Sequence, residues 1–391
     1  MDSSLINYMT EQLRHVPMEM KRYMYNILPW DQRMVGLIGP RGIGKTTLFL
    51  QWIREHYTDN NDILYVSADH AYFLENSILD TGNQFALEGG KILFIDEIHK
   101  YPQWSQQLKN LYDGHPSLRI FFTGSSILDI SKGNADLSRR ALMFSMQGLS
   151  FREYLNLFHG KDLPALSITD IVQGKSNKLD IESPMQYFGR YLKSGYYPLP
   201  QDEYFERRLQ QVINQTLEID IPQYAHLNAS LGRKLRQLMA IIARSVPFKP
   251  SMTSISNALS ISRNIIGDYL MMLDNAGMIA LLSQSTTGVR GLGKMEKIYL
   301  DNTNIAFALS DNSPDTGNIR ETFFYNQMRL NNDVKASPVA DFKINNLTFE
   351  VGGKNKGRKQ VAGIDNAFVV KDDIDQAFGN ILPLWAFGMN Y

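Results

Sequence analysis

The segment GPRGIGKT, residues 39–46, limits what this chain can fold into more than any other. It follows MVGLIG, a short apolar run that reads as a buried strand. It precedes KTTLFLQWIREHY, whose apolar residues recur at helical spacing. Gly39, Gly44, Lys45 and Thr46 fit the phosphate-loop pattern G-x-x-x-x-G-K-[ST] in the strand, loop and helix setting that makes the pattern meaningful. Gly39, Gly42 and Gly44 let the backbone between Pro40, Arg41 and Ile43 curl into a nest of N–H groups, and the helix that opens at Lys45, Thr46 and Thr47 adds its positive end. Lys45 is expected to reach the β- and γ-phosphates of ATP, and the Thr46 hydroxyl to hold Mg2+.

A nucleotide cradle does not by itself imply hydrolysis, and the stretch KILFIDEIHKYPQW supplies the rest. Ile92 to Ile95 read as a fully apolar strand that delivers Asp96 and Glu97 to the C-terminal edge of a parallel sheet, where ligands of such sheets sit. Asp96 is the second candidate for Mg2+, and Glu97 is placed to polarise a water for attack on the γ-phosphate. DILYVSA (62–68), LRIFFTGSS (118–126) and RALMFSMQ (140–147) read as further strands with helical segments between most of them, which means a parallel α/β layer. Thr123 and Ser125, at the end of the fourth strand, are candidates for a polar γ-phosphate sensor, against the alternative of a plain turn. Arg139 and Arg140 precede the fifth strand, where a guanidinium either stabilises transition-state charge, from within the chain or from a neighbour, or is simply solvated.

The order GPRGIGKTT, FIDEIHKYPQWSQQLKNLYD, FFTGSS and DLSRRALMFSMQGLSFREYL resembles the prokaryotic AAA+ ATPases related to archaeal ATPases. The resemblance covers essentially the whole chain. It implies an additional-strand P-loop core, a helical segment, a winged helix and a nuclease-like C-terminus of the PD-(D/E)xK type. The corresponding division is 1–150 for the ATPase domain, 151–230 for a helical lid-type segment, 231–305 for the winged helix and 306–391 for the nuclease-like domain.

The residues support this organisation in their own terms. MQYFGRYLKSGYYPLP and YFERRLQQVINQTLEIDI carry apolar residues at helical spacing. From residue 231, three helical runs and a pair of strands around a glycine-rich loop follow, the second and third helices joined by a turn short enough for a helix-turn-helix. Arg263 and Asn264 open its second helix, and Arg290, Lys294 and Lys297 lie in or beside the loop, so these five are the candidates for phosphate contacts with duplex DNA. Asp268 and Asp274 on the same helix argue instead for contacts with protein.

In the last quarter, Glu321 on a helix, Asp341, and Glu350 on a strand are placed as a nuclease would place its metal-binding carboxylates. The lysine expected two residues past the strand glutamate is replaced by Gly352. Lys354 has the right parity but lies roughly 6.6 Å further along an extended strand, so it reaches back only if Gly352 and Gly353 bend the chain. The expectation is a nuclease-like fold that does not cut DNA, its carboxylates paired with Lys354, Lys356 and Arg358 as a charged surface or binding metal weakly.

Composition narrows the setting. Forty basic residues balance forty acidic ones, so any nucleic-acid surface is a local patch. The absence of cysteine excludes disulfides and zinc-thiolate sites. No run of 18 apolar residues is present to span a membrane, and a soluble cytoplasmic protein is the default expectation. Two functional classes remain: a Mg2+-dependent ATPase switch or motor acting on DNA, and a nucleotide-dependent module whose partner is a protein or a second copy of itself.

Overall fold

Strands that are largely apolar can be buried on both faces, and four such runs, with a more exposed fifth at the edge, pair into one parallel sheet in the first part of the chain. The computed structural model describes residues 1–57, 62–125, 137–224, 230–245, 251–284, 295–310, 313–353, 355–357 and 362–391. They divide into two compact units, Met1–Gln147 and Gly148–Tyr391.

In the first unit the strands are β1 (Met34–Gly39), β2 (Ile63–Ser67), β3 (Ile92–Asp96), β4 (Arg119–Ser125) and β5 (Leu142–Ser145), in the order β2-β3-β4-β1-β5 and parallel throughout. Strand β4 lies between the strand that carries the phosphate loop and the strand that carries the acidic pair, which is the arrangement of the additional-strand P-loop fold. Helices α1 (Ser3–His15), α2 (Lys45–His56), α3 (Ile78–Leu87) and α4 (Trp104–Gly114) complete the layers. Asp2 caps α1 through the Ser4 N–H at 2.7 Å, and Ser77 caps α3 through the Asp80 N–H at 2.9 Å. An aromatic cluster consolidates the sheet: Trp30 stacks on Trp52 at 5.1 Å and Phe94 on Phe121 at 5.0 Å, with Phe49 edge-on to Phe94 at 5.2 Å. Because every strand runs the same way, Gly39, Ser67, Asp96 and Ser125 all end on one edge of the sheet.

The second unit begins with α5 (Phe151–His159), whose capping box is formed by Ser150 and Glu153. It continues with α6 (Pro184–Ser194), α7 (Phe205–Gln215), α8 (Ser230–Ser245), α9 (Met252–Leu259) and α10 (Arg263–Asn275), besides shorter helical turns. An antiparallel pair, β6 (Ile279–Ser283) and β7 (Met295–Leu300), comes next, then α11 (Thr316–Met328). The chain closes with β8 (Val334–Ala336), β9 (Phe342–Ile344), β10 (Leu347–Gly352), β11 (Ala367–Lys371) and β12 (Ile381–Pro383). These form a mixed sheet of order β12-β11-β10-β9-β8, parallel between β10, β11 and β12 and antiparallel between β8, β9 and β10. One hydrophobic core runs through this unit, from Phe151 and Tyr191 through Tyr299, Phe323 and Phe324 to Phe349 and Phe387. Among the described residues no helix is long and apolar enough to cross a membrane.

Candidate functional site

The loop after β1 has the backbone that its glycines allow. Gly42 and Gly44 stand at φ 80° and 94°, in the left-handed region that costs glycine nothing, and Gly44 leads directly into α2. No side chain caps α2, unlike α1 and α3. A helix start of this kind, without a serine or aspartate oxygen over it, is where an anion can be met by the backbone and the positive end of the helix. Ile43, fully buried, holds the loop down, and its carbonyl accepts from the buried guanidinium of Arg22, which also donates to the Gln147 carbonyl at 2.8 Å. Pro40 is buried, while Arg41 and Thr47 are half-buried on either side of the nest. The Lys45 ammonium lies over the loop, donating to the carbonyls of Gly39 and Pro40 at 2.9 Å each.

Across the sheet edge, Asp96 is buried and surrounded by hydroxyls. Thr46 donates to its Oδ2 at 2.7 Å and Tyr65, from β2, to the same oxygen at 3.0 Å. Thr123, from β4, donates to Oδ1. Burial pushes the Asp96 carboxyl above its ordinary value; the Thr123 bond opposes this, the neighbouring Glu97 charge adds to it, and the Thr46 and Tyr65 bonds oppose it again. A divalent cation would reverse that cost by supplying positive charge at the carboxylate. The Thr46 hydroxyl and the Asp96 carboxylate are adjacent hard oxygen donors, which fits Mg2+ bound through few protein ligands and completed by water and phosphate oxygens. No group of three or more histidine, cysteine or acidic side chains suited to a metal occurs among the described residues.

Glu97 follows at φ 51°, a left-handed conformation that a non-glycine residue adopts at a cost of about 1 to 3 kcal/mol. Its N–H donates to the Thr123 hydroxyl at 3.0 Å, and its carboxylate meets His99 Nε2 at 3.2 Å. The Ser125 N–H donates to His99 Nδ1 at 3.3 Å. Thr123, expected as a γ-phosphate sensor, is fully buried and commits its hydroxyl to Asp96 and Glu97, so it sets the acidic pair in place instead of facing a phosphate. Tyr65 and His99 were not singled out from the sequence. The signal available for His99 was a histidine two residues past the glutamate in an otherwise apolar turn.

Arg139 and Arg140 lie at the other end of the sheet. They precede Leu142, which pairs with Val35 near the start of β1, whereas the phosphate loop leaves from its end. Arg140 is held by Asp113 on α4 through two bonds of 2.8 and 2.9 Å. Arg139 is exposed. Both residues thus precede the end of β5 that pairs with the start of β1, at the opposite end from the phosphate loop.

In the second unit the expected carboxylates do come together, with lysines between them. Lys297, on β7, donates to Glu321 at 2.9 Å and to Asp341 at 3.3 Å, and the Tyr299 hydroxyl donates to Glu321 at 2.7 Å. Lys297 is thus part of this charged cluster and not a free cation beside a loop. Asp341 also accepts from the Val351 N–H at 2.9 Å. Glu350 is buried and paired with the Lys356 ammonium, while its Oε2 has no hydrogen-bond partner among the described residues. The Lys356 stem fills the space that a side chain at Gly352 would take, since a Cβ there would lie 2.6 Å from Lys356 Cγ. The lysine that reaches the strand glutamate is therefore Lys356, brought back by a turn in which its N–H donates to the Gly353 carbonyl at 2.9 Å. Lys354, Arg290 and Lys294 lie outside the described residues. Arg263 and Asn264 are exposed at the start of α10.

The strand order, the loop and the acidic pair have the arrangement of the AAA+ P-loop NTPase fold. Residues 31–155 match a family model described as an AAA domain, and residues 185–316 match a domain of unknown function, DUF8612. No curated protein matches the chain. Among solved structures the chain is similar to ORC1 of Aeropyrum pernix in complex with DNA, at 13% identity over 78% of this chain and 92% of that one, with a TM-score of 0.32. It is also similar to AMPPCP-bound DnaA of Aquifex aeolicus, at 12% identity over 70% and 89% with a TM-score of 0.29, and to RuvB of Thermotoga maritima, at 16% over 72% and 89% with a TM-score of 0.30.

The lysine-bridged cluster carries a pH dependence. Burial first, and Asp341 second, push the Glu321 carboxyl above the ordinary 4.5, while Lys297 and Tyr299 pull it down. A carboxyl whose folded-state value exceeds its unfolded one favours the folded state most when protonated, so its contribution is best below 4.5 and is lost as pH rises through the folded value. Lys297→Ala removes the opposing cation. It is expected to destabilise by on the order of 2 kcal/mol at mildly alkaline pH, with the deficit shrinking as pH falls toward 4.5. Urea unfolding of both proteins across pH checks this, and a deficit independent of pH would contradict it.

Proposed function

We propose that this protein is a Mg2+-dependent ATPase that works as a nucleotide switch or motor. The observation that carries the reading is the convergence of the uncapped start of α2, the Thr46 hydroxyl and the buried Asp96 on one sheet edge, with Glu97 beside them. Lys45 leaves its resting bonds to Gly39 and Pro40 to meet the β- and γ-phosphates. When bound, Mg2+ neutralises charge on the phosphate oxygens. Thr46 and Asp96 hold it, and Glu97 accepts the proton of the attacking water. Ser125, at the end of β4 next to this site, is the remaining candidate for contact with the γ-phosphate.

Arg139 acts across a subunit boundary in this reading. It is exposed, adjoins the exposed Leu142 and Met143 of the edge strand β5, and stands at the wrong edge of the sheet for its own nucleotide. Arg140, ion-paired to Asp113, is structural.

For the second unit we read α8 to α10 and the β6–β7 pair as a winged helix, and α11 with the second sheet as a nuclease-like domain that does not cut DNA. The Lys297 ammonium stands between Glu321 and Asp341, where a nuclease would need its metal. Loss of Lys297 to this cluster leaves Arg263 and Asn264 as the described candidates for DNA on the winged helix. The exposed Ile265 and Met271 on the same helix favour the alternative of a protein partner. Duplex DNA binding that weakens steeply with salt supports the DNA reading, and binding without a salt slope supports the other.

Lys45→Ala is expected to abolish ATP binding, and Glu97→Gln to keep binding while losing turnover, measured as phosphate release. Equal turnover in Glu97→Gln and the parent protein sinks the assignment. Arg139→Ala is expected to lose on the order of a thousandfold in turnover, and Arg140→Ala little. Mixing Arg139→Ala with Lys45→Ala should restore activity, because one copy keeps the site and the other the arginine; no recovery on mixing contradicts action between copies.

A further inference from the structure

We propose that His99 is a positioning residue for Glu97, a role that rests on the ATPase reading above and adds to it. The turn Ile98–Lys100 follows directly on the acidic pair and folds His99 inward, its side chain only 3% exposed. The Ser125 N–H, 3.3 Å away, points at Nδ1, so that nitrogen must be the lone-pair acceptor. The ring proton is therefore on Nε2, which donates to the Glu97 carboxylate at 3.2 Å. One carboxylate oxygen, Oε2, is occupied in this way, and the side chain is still 25% exposed, which leaves Oε1 as the acceptor for a water.

Both ends of Glu97 are thus referred to the same strand. Its main-chain N–H rests on Thr123, and its carboxylate rests, through His99, on the backbone of Ser125. Thr123 and Ser125 lie two residues apart on β4. A long, flexible side chain on a left-handed residue has several rotamers open to it; the histidine selects one without placing a charge beside the carboxylate. This is pre-organisation of the base: the water finds its acceptor already oriented, and little reordering remains for the transition state. The arrangement also ties the orientation of Glu97 to the end of β4, so a shift of Ser125 would be transmitted to the base through one buried ring.

The test uses the full chain and four variants, with ATP affinity and turnover measured separately. His99→Phe keeps the ring's volume and removes both nitrogens. It is expected to lower kcat about ten- to a hundredfold while leaving ATP affinity unchanged. His99→Gln, whose amide N–H replaces Nε2–H, should recover most of that loss. Because His99 works through Glu97, adding His99→Phe to Glu97→Gln should leave the residual rate where Glu97→Gln alone puts it. Unchanged kcat in His99→Phe overturns the proposal. So does a loss of affinity in parallel with kcat that His99→Gln does not repair, which would mark a residue that only supports packing. Parent-level turnover in Glu97→Gln instead removes the ATPase reading itself, and the two failures are told apart by that single variant.

Discussion

A buried carboxylate in an apolar sheet is costly unless each of its oxygens is met, and the first unit is arranged around meeting those of Asp96. Three hydroxyls do so, and each comes from a different strand or helix: Tyr65 from β2, Thr123 from β4 and Thr46 from α2. The insertion of β4 between β1 and β3 is what brings Thr123 under the acidic pair. The same strand carries Ser125 to His99. The order of the sheet, the strained backbone of Glu97 and the start of α2 are therefore parts of one arrangement, and loss of β4 from its place would leave Asp96 buried without the Thr123 hydroxyl, one of its three supports.

The residues proposed to bind nucleotide could be picked out in the sequence because they are local. A phosphate loop is eight consecutive residues, and an acidic pair at the end of an apolar strand is two, so spacing alone places Lys45, Thr46, Asp96 and Glu97. What closes over those residues was not legible. Tyr65, Arg22 and His99 are ordinary buried side chains in sequence, and they acquire roles from neighbours 21 to 125 positions away. Thr123 was found but given the wrong neighbour, since a hydroxyl at a strand end can face the ligand or the adjacent strand, and only the register of β3 against β4 decides which.

The second unit shows the same limit on a larger scale. Glu321 on a helix, Asp341, and Glu350 on a strand were picked out as one group from their likeness to the carboxylates of the PD-(D/E)xK fold. Lys356 was among the cations expected to pair with them and does so with Glu350, from a turn that folds over Gly352, whereas Lys297 was assigned to DNA and comes instead from β7 to Glu321 and Asp341. A glycine that removes a side chain from one position makes room for a lysine from another. Motif spacing counts residues along a strand and has no means of seeing that exchange.

In the proposed function, Asp96 and Thr46 together hold Mg2+ for ATP. The most direct measurement is ATP affinity by calorimetry with magnesium and with a chelator, in the parent protein and in Asp96→Asn, whose amide keeps the shape and removes the charge. Magnesium is expected to tighten ATP binding in the parent, and this gain to disappear in Asp96→Asn. Equal ATP affinity with and without magnesium in the parent, or a full magnesium gain in Asp96→Asn, would contradict it.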